Sequence, residues 1–326
     1  MNEQTIARAA LLAENALEIK REFKWKNAMT GRLAALLYAA QDRPADIEAI
    51  RAQYEQIKQN TSGFSPFRST MALSISAFLS MSDDPAALLS DMLEVYELLK
   101  EDGFKTSDFL AMAAYLIAAA GPEMRITALD RTKAFYHAMK KEHRFLTGRD
   151  DYIFAAMLGL SDLDVETGVT QMERAYAALR GELRAGNGLQ SLTQVMTLAG
   201  GGEAVDRVLG MREAFRARGI RLDQQYLLPV LGVLALLPIE APAVAEEVSK
   251  MFDFLREQQG FGRWSATKQE VMMLAAALVS QEHADEVGRG ELPAAPSTSL
   301  ANVMLAQHAA LAAAAAAAAS AAAASS

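Results

Sequence analysis

An all-α fold of stacked helical hairpins is predicted by three features of this chain. An aromatic–apolar–basic signature recurs about every forty residues, Ala/Leu/Met-rich stretches of helical length lie between its occurrences, and Pro, Asp and Gly mark the joints. Such an array either stays open as an α-solenoid or closes as an α/α toroid, and the sequence leaves both open.

The signature reads Tyr54-x-x-Ile57-Lys58, Tyr96-x-x-Leu99-Lys100, Tyr136-x-x-Met139-Lys140 and Tyr176-x-x-Leu179-Arg180, and its aromatic position continues at Phe215 and Phe254. A second series, Phe23, Phe64, Phe104, Phe145 and Phe261, precedes the apolar stretches in the same rhythm. Leu33–Ala40, Met71–Leu79, Phe109–Ala120, Tyr152–Leu160, Leu227–Leu237 and Val271–Val279 are apolar nearly all round, which predicts buried helices. The helices bearing the Tyr signature are more polar and cover them. Core packing between hairpins explains the Tyr series better than a base-stacking platform does, because no matching positive charge accompanies it.

Pro44, Pro85, Pro122 and Pro242 stand where a helix starts and its first amide needs no partner, while Asp42, Asp83, Asp84, Asp162 and Asp164 are placed to cap the helices that follow. Gly103, Gly181, Gly219 and Gly260 lie near the other ends, where left-handed helix stops favour glycine. The expected order is an N-terminal helix over 3–22, hairpins starting near 23, 64, 104, 145, 187 and 222 with the apolar helix first, and a closing helix from about 263. That makes fourteen helices and no strand. Residues 1–286 form the hairpin domain, 287–299 a linker, and 300–326 an Ala-rich low-complexity tail, helical or disordered.

The 326 residues are 51% hydrophobic and 22% charged, which excludes a disordered or collagen-like chain. With no cysteine, thiolate metal sites, thiol nucleophiles and disulfides are all excluded, and a reducing cytoplasm is the expected setting. A formal charge of −8 speaks against nucleic acid as a partner. The first residues lack the pattern of a secretory signal. Residues 300–326 are long enough to cross a bilayer but contribute little apolar area and carry no flanking anchors, so membrane contact through the tail is not expected. If the tail docks, Val303, Met304 and Leu311 are the side chains it would bury.

The densest polar stretch, His137 to Asp164, offers His143, Asp150 and Asp151 as catalytic or metal-ligating candidates. His137 and His143 are six apart and lie on different helix faces, unlike paired ligands at i and i+4. No metal or other cofactor is called for. Asp150 and Asp151 fall in phase with Asn27, Arg68 and Asp108 at the starts of buried helices, where acids favour the helix dipole. Residues of this phase should line one edge of the array, so Asn27, Arg68, Asp108, Arg149, Asp150, Asp151 and Gln225 mark the place to look for a ligand. Gly200-Gly201-Gly202 lacks the Lys-Ser/Thr of a phosphate cradle and follows no strand, and neither a nucleophile elbow nor an H-E-x-x-H pattern is present.

Phe23-Lys24-Trp25, Gly63-Phe64-Ser65-Pro66-Phe67-Arg68, Arg144-Phe145-Leu146-Thr147-Gly148-Arg149-Asp150-Asp151-Tyr152, Leu231-Gly232-Val233-Leu234-Ala235-Leu236-Leu237-Pro238 and Gly260-Phe261-Gly262-Arg263-Trp264-Ser265, with the alanine/serine tail, resemble the bacterial domain-of-unknown-function family numbered four thousand and three over nearly the whole chain. The resemblance implies a helical bacterial cytoplasmic protein and brings no activity, cofactor or catalytic residue with it. The resulting expectation is a non-enzymatic scaffold for a protein or peptide, with Arg68, Asp108, Arg149 and Asp150 at the binding edge. An enzyme with an acidic cleft around Asp150 and Asp151, or a membrane role for the tail, are the alternatives.

Overall fold

The computed structural model describes residues 2–24, 26–198, 204–224 and 227–288. These residues form fourteen α-helices, one short 3-10 turn and no strand. Two helices of each unit pair antiparallel: α1 (Glu3–Glu22) with α2 (Ala28–Ala39), α3 (Ile47–Asn60) with α4 (Ala72–Ser80), α5 (Pro85–Glu101) with α6 (Asp108–Ala119), and α7 (Pro122–Glu142) with α8 (Tyr152–Leu160). The series continues with α9 (Val165–Leu179) and α10 (Asn187–Leu198), α11 (Ala204–Ala217) and α12 (Leu228–Leu236), and α13 (Ala241–Glu257) and α14 (Lys268–Gly288). The amphipathic helix therefore comes first in each hairpin and its apolar partner second. This shifts the expected unit by one helix, so the N-terminal and closing helices, expected to stand alone, are each a member of a hairpin.

The odd-numbered helices bury one stripe and the even-numbered ones bury nearly everything. Ile50 and Ile57 are the buried positions of α3, whereas every residue from Tyr152 to Gly159 of α8 and every residue of α12 is buried. Helices apolar on all sides belong where both faces meet protein. Even-numbered helices accordingly touch one another around the inside, as α2 does α4, α6 does α8 and α10 does α12, and side chains fill the space they enclose. Gly159 allows the close approach of α7, since a Cβ there would stand 2.6 Å from the hydroxyl oxygen of Thr132.

The array closes. Helix α1 packs on both α13 and α14, and polar groups from the two ends of the chain meet across this seam. Arg8, only 3% exposed, donates Nε and Nη2 to the two oxygens of Asp42 at 2.9 and 2.8 Å and Nη1 to Asp285 at 2.9 Å. Asn2 donates to Glu282, and His283 sits between Glu247 at 2.6 Å and Glu286 at 2.7 Å. Beneath, buried Arg32 donates Nη2 to the carbonyl oxygens of Gly260 and Ser265. Seven hairpins thus form a ring, the closed member of the two predicted arrangements.

The joints carry much of the expected chemistry: Pro85, Pro122 and Pro242 stand in the first turns of their helices, and Gly103, Gly219 and Gly260 take positive φ. Pro44, however, lies ahead of α3, Gly181 is not left-handed, and Asp83 and Asp162 cap no helix. Asp84 and Asp164 cap α5 and α9 by accepting from the amides of Ala87 and Thr167. At the start of α3 the cap is Asp46, while Asp42, held at φ 53°, turns to Arg8. Each Tyr of the signature meets an aromatic ring from the turn before the neighbouring inner helix: Phe23 with Tyr54 at 6.1 Å, Phe67 with Tyr96 at 5.1 Å, Phe104 with Tyr136 at 5.1 Å and His143 with Tyr176 at 4.5 Å between centroids. The second aromatic series splits. Phe23, Phe104 and Phe261 are buried, but Phe64 and Phe145 project fully into solvent. Trp25, Gln225, Gly200-Gly201-Gly202 and most of the linker and tail, residues 289–326, lie outside the described residues.

Candidate functional site

Antiparallel pairing sends every connection from an outer to an inner helix to one end of the ring and every return connection to the other. The two ends differ sharply in charge. The described residues of the turns at the first end, within 23–27, 61–71, 102–107, 143–151, 180–186, 218–227 and 258–267, hold eleven Lys and Arg against five Asp and Glu. At the opposite end the described residues of the turns hold seven acids, among them Asp46, Asp83, Asp84, Asp162 and Asp164, against Arg43 alone. Capping produces this polarity in part. The outer helices take acids at their N-termini and bases such as Lys58, Lys100, Lys140 and Arg216 in their last turns, which suits the helix dipole at each end.

On the basic rim, Lys24, Lys105, Arg144, Arg149, Arg184 and Arg263 are exposed, and their side chains make no hydrogen bond or ion pair among the described residues. Three aromatic side chains stand among them: Phe64 is 102%, Phe145 96% and Trp264 103% exposed. They belong to the second, fourth and seventh hairpins, so the gaps between them around the ring are two, three and two units. A near-even tripod of apolar points therefore stands on a positive face. A small pocket of about 100 Å³ opens at the closing seam beside this rim, lined by Lys20, Lys24 and Lys26 together with Ile19, Phe23, Leu73 and Arg32. The Nη1 of Arg32 has no hydrogen-bond partner there and lies 3.6 Å from Glu270.

Most residues singled out from the sequence do lie at this rim, yet they serve mainly to tie hairpins together. Asn27 caps α2 by accepting from the amide of Met29. Arg68 donates to the hydroxyl of Thr61 and to the carbonyls of Lys58 and Thr61, fastening the end of α3 to the start of α4. Asp108 accepts from Ser69 at 2.6 Å and Asp150 from Asn187 at 3.2 Å, two equivalent links between successive hairpins. Burial raises the Asp108 carboxyl above the ordinary aspartate range, and the Ser69 bond partly offsets this. Arg149 is the member of that edge that stays free.

Asp151 is different in kind. It is buried, and its oxygens accept from the side-chain amides of Gln194 at 2.7 Å and Gln190 at 3.3 Å and from the backbone amide of Gly148 at 2.8 Å. Burial, and then the charge of neighbouring Asp150, push its pKa up to about 7 against the pull of Gln194 and Gly148. The amide oxygens of Gln190 and Gln194 have no donor in this arrangement, which a proton on Asp151 would supply after an amide flip.

His143 does not join this group. Its Nε2 lies 2.9 Å from a carboxylate oxygen of Glu173 and its ring packs on Tyr176, both on α9 in the outer layer. Among the described residues no three His, Asp or Glu side chains come together as a metal site.

The exposed aromatics were hidden in the sequence by their own regularity. Phe64 and Phe145 keep the spacing of the buried Phe23 and Phe104, and periodicity alone assigns all four to the core. The available signal was redundancy: the second hairpin holds Phe67 three residues after Phe64, and one ring fills the slot against Tyr96.

A closed ring of helical hairpins with a filled centre and a basic, aromatic-studded rim defines an all-α ring protein. The chain belongs to the family described as "Protein of unknown function (DUF4003)", whose model matches residues 15–309. It is also similar to the uncharacterized protein YeaA of Bacillus subtilis (strain 168), at 23% identity over 278 residues that cover 82% of each chain. No solved structure matches it.

Proposed function

We propose that this protein is a non-enzymatic interaction module that works through its basic rim. The observation that carries the reading is the concentration of unpaired bases and wholly exposed aromatics on one end of a ring whose interior is packed. Exposed apolar side chains among charges are what a recognition surface needs before its partner arrives. Arg149 contributes directly to that surface, whereas Arg68, Asp108 and Asp150 hold the turns that display it. The absence of cysteine supports a cytoplasmic setting. Among the described residues no helix is long and apolar enough to cross a membrane.

The alternative of an acidic catalytic cleft draws support from the raised pKa of Asp151, a trait common in active sites. Against it, amide donors already occupy both oxygens of that carboxylate. A photo-crosslinking amino acid placed at 145 or 264 and irradiated in the native host is the direct test. Adducts are expected from these positions and not from position 83 or 162 on the acidic rim. Equal labelling from both rims, or none from either, would overturn the proposal.

A further inference from the structure

We propose that the basic rim seats on a bilayer surface carrying anionic phospholipid headgroups, with Phe64, Phe145 and Trp264 entering the headgroup layer. The inference rests on the reading of that rim as the working face and names the surface it meets.

Three observations favour a lipid surface. First, the aromatics lie in separate hairpins around the ring and not in one patch, so a protein partner would need three matching cavities widely spaced, while a fluid bilayer accommodates isolated wedges anywhere. Second, two of the three sit directly beside an unpaired exposed base, Arg144 before Phe145 and Arg263 before Trp264, which combines an apolar anchor with attraction to phosphate at one point. Third, the opposite rim is acidic, so the molecule carries a charge asymmetry along the ring axis that turns the aromatic end toward a negative surface and the other end away. Three roughly evenly spaced feet would hold the ring axis upright on the membrane. The lysine-lined pocket at the seam opens beside the same rim and suits a single phosphate headgroup.

The test is co-sedimentation of the full chain with vesicles of phosphatidylcholine alone and of phosphatidylcholine with about one-third phosphatidylglycerol. Binding is expected only to the anionic vesicles and should fall at least tenfold between about 0.1 and 0.5 M salt. Single substitutions Phe64→Ser, Phe145→Ser and Trp264→Ser should each lower the partition coefficient about three- to tenfold, and the triple variant on the order of 100-fold. These side chains touch solvent alone, so an unchanged thermal midpoint should confirm that the variants fold. Asp83→Asn with Asp162→Asn should leave binding intact.

Equal binding to neutral vesicles, or anionic binding that survives the triple substitution, overturns the proposal. No vesicle binding together with rim-specific protein crosslinks from 145 or 264 also overturns it, and leaves the interaction reading standing. Head-to-tail association of the chain with itself that the same substitutions abolish, without vesicle binding, assigns the rim to a second copy and overturns it too. If neither vesicles nor crosslinks register, both readings fall.

Discussion

Asp151 shows how strongly one buried carboxyl can set the behaviour of its surroundings. Its folded pKa of about 7 lies above the ordinary aspartate value. The unfolded chain therefore gives up its proton near pH 4, while the folded chain keeps it until near neutrality. Stability from this group falls as pH rises through that window and is level above it, by about 4 kcal/mol in total. Asp151→Asn cannot ionise and can still accept from Gly148 while donating to one of the glutamine oxygens. Thermal midpoints measured at pH 5 and pH 8 should drop for the natural protein and drop much less for the variant, which should be the more stable of the two at pH 8.

Two arginines on outer helices do equivalent work for the helices they cover. Arg131 of α7 donates to the carbonyls of Gly159 in the last turn of α8 and of Ser161 and Leu163 just past it, and Arg207 of α11 donates to those of Ala235 in the last turn of α12 and of Leu237 just past it. The first contact spans 28 residues in both hairpins. Carbonyls at a helix end have no partner within the helix, and a guanidinium is well shaped to gather two or three of them. Arg131→Met and Arg207→Met should each cost about 2 kcal/mol in denaturant unfolding. Because the two sites are in hairpins separated by another around the ring, the double variant should show the sum.

For the whole ring the seam is the critical joint. An open stack of hairpins loses stability locally when damaged, since each unit leans only on its neighbours. Closure adds contacts between the first and last units, and Arg8 carries a central share of them. Its two carboxylate partners favour the charged guanidinium against the cost of burial, and Arg8 in turn holds Asp42 below the usual carboxylate range. Arg8→Met should leave Asp285 and Asp42 facing each other without a counter-charge and cost about 2–3 kcal/mol. Amide hydrogen exchange should accelerate first in α1 and α14, ahead of α6 to α10. Uniform acceleration around the ring would mean that the seam has no special role.

Much of this architecture was readable from local pattern. Helices apolar on every side, Pro and Asp at the joints and a ring-stacking Tyr about every forty residues are properties of short stretches, and short-range sterics and hydrogen bonding decide them. The boundaries of α1 and the caps of α5 and α9 follow from that level. Pairing within the hairpins was displaced by one helix, because an alternating series of apolar and amphipathic helices reads equally well from either member. Candidate residues at the inner-helix starts were correctly brought to one rim, since phase alone places them there. Which of them stay free was invisible: Arg68, Asp108 and Asp150 are engaged by Thr61, Ser69 and Asn187, partners that no motif announces.

The sequence by itself determined that this protein is a succession of helical hairpins with an apolar inner layer, because that follows from the spacing of side chains along each helix. Only the tertiary structure decided that the succession closes, and that Phe64, Phe145 and Trp264 face water. Closure depends on small rotations accumulated over seven hairpins and on ion pairs such as Arg8–Asp285, whose members lie 277 residues apart. Exposure of an aromatic ring depends on whether a neighbour has already filled the slot it would occupy. Both are facts about relations in space, and the order of residues along the chain does not record them.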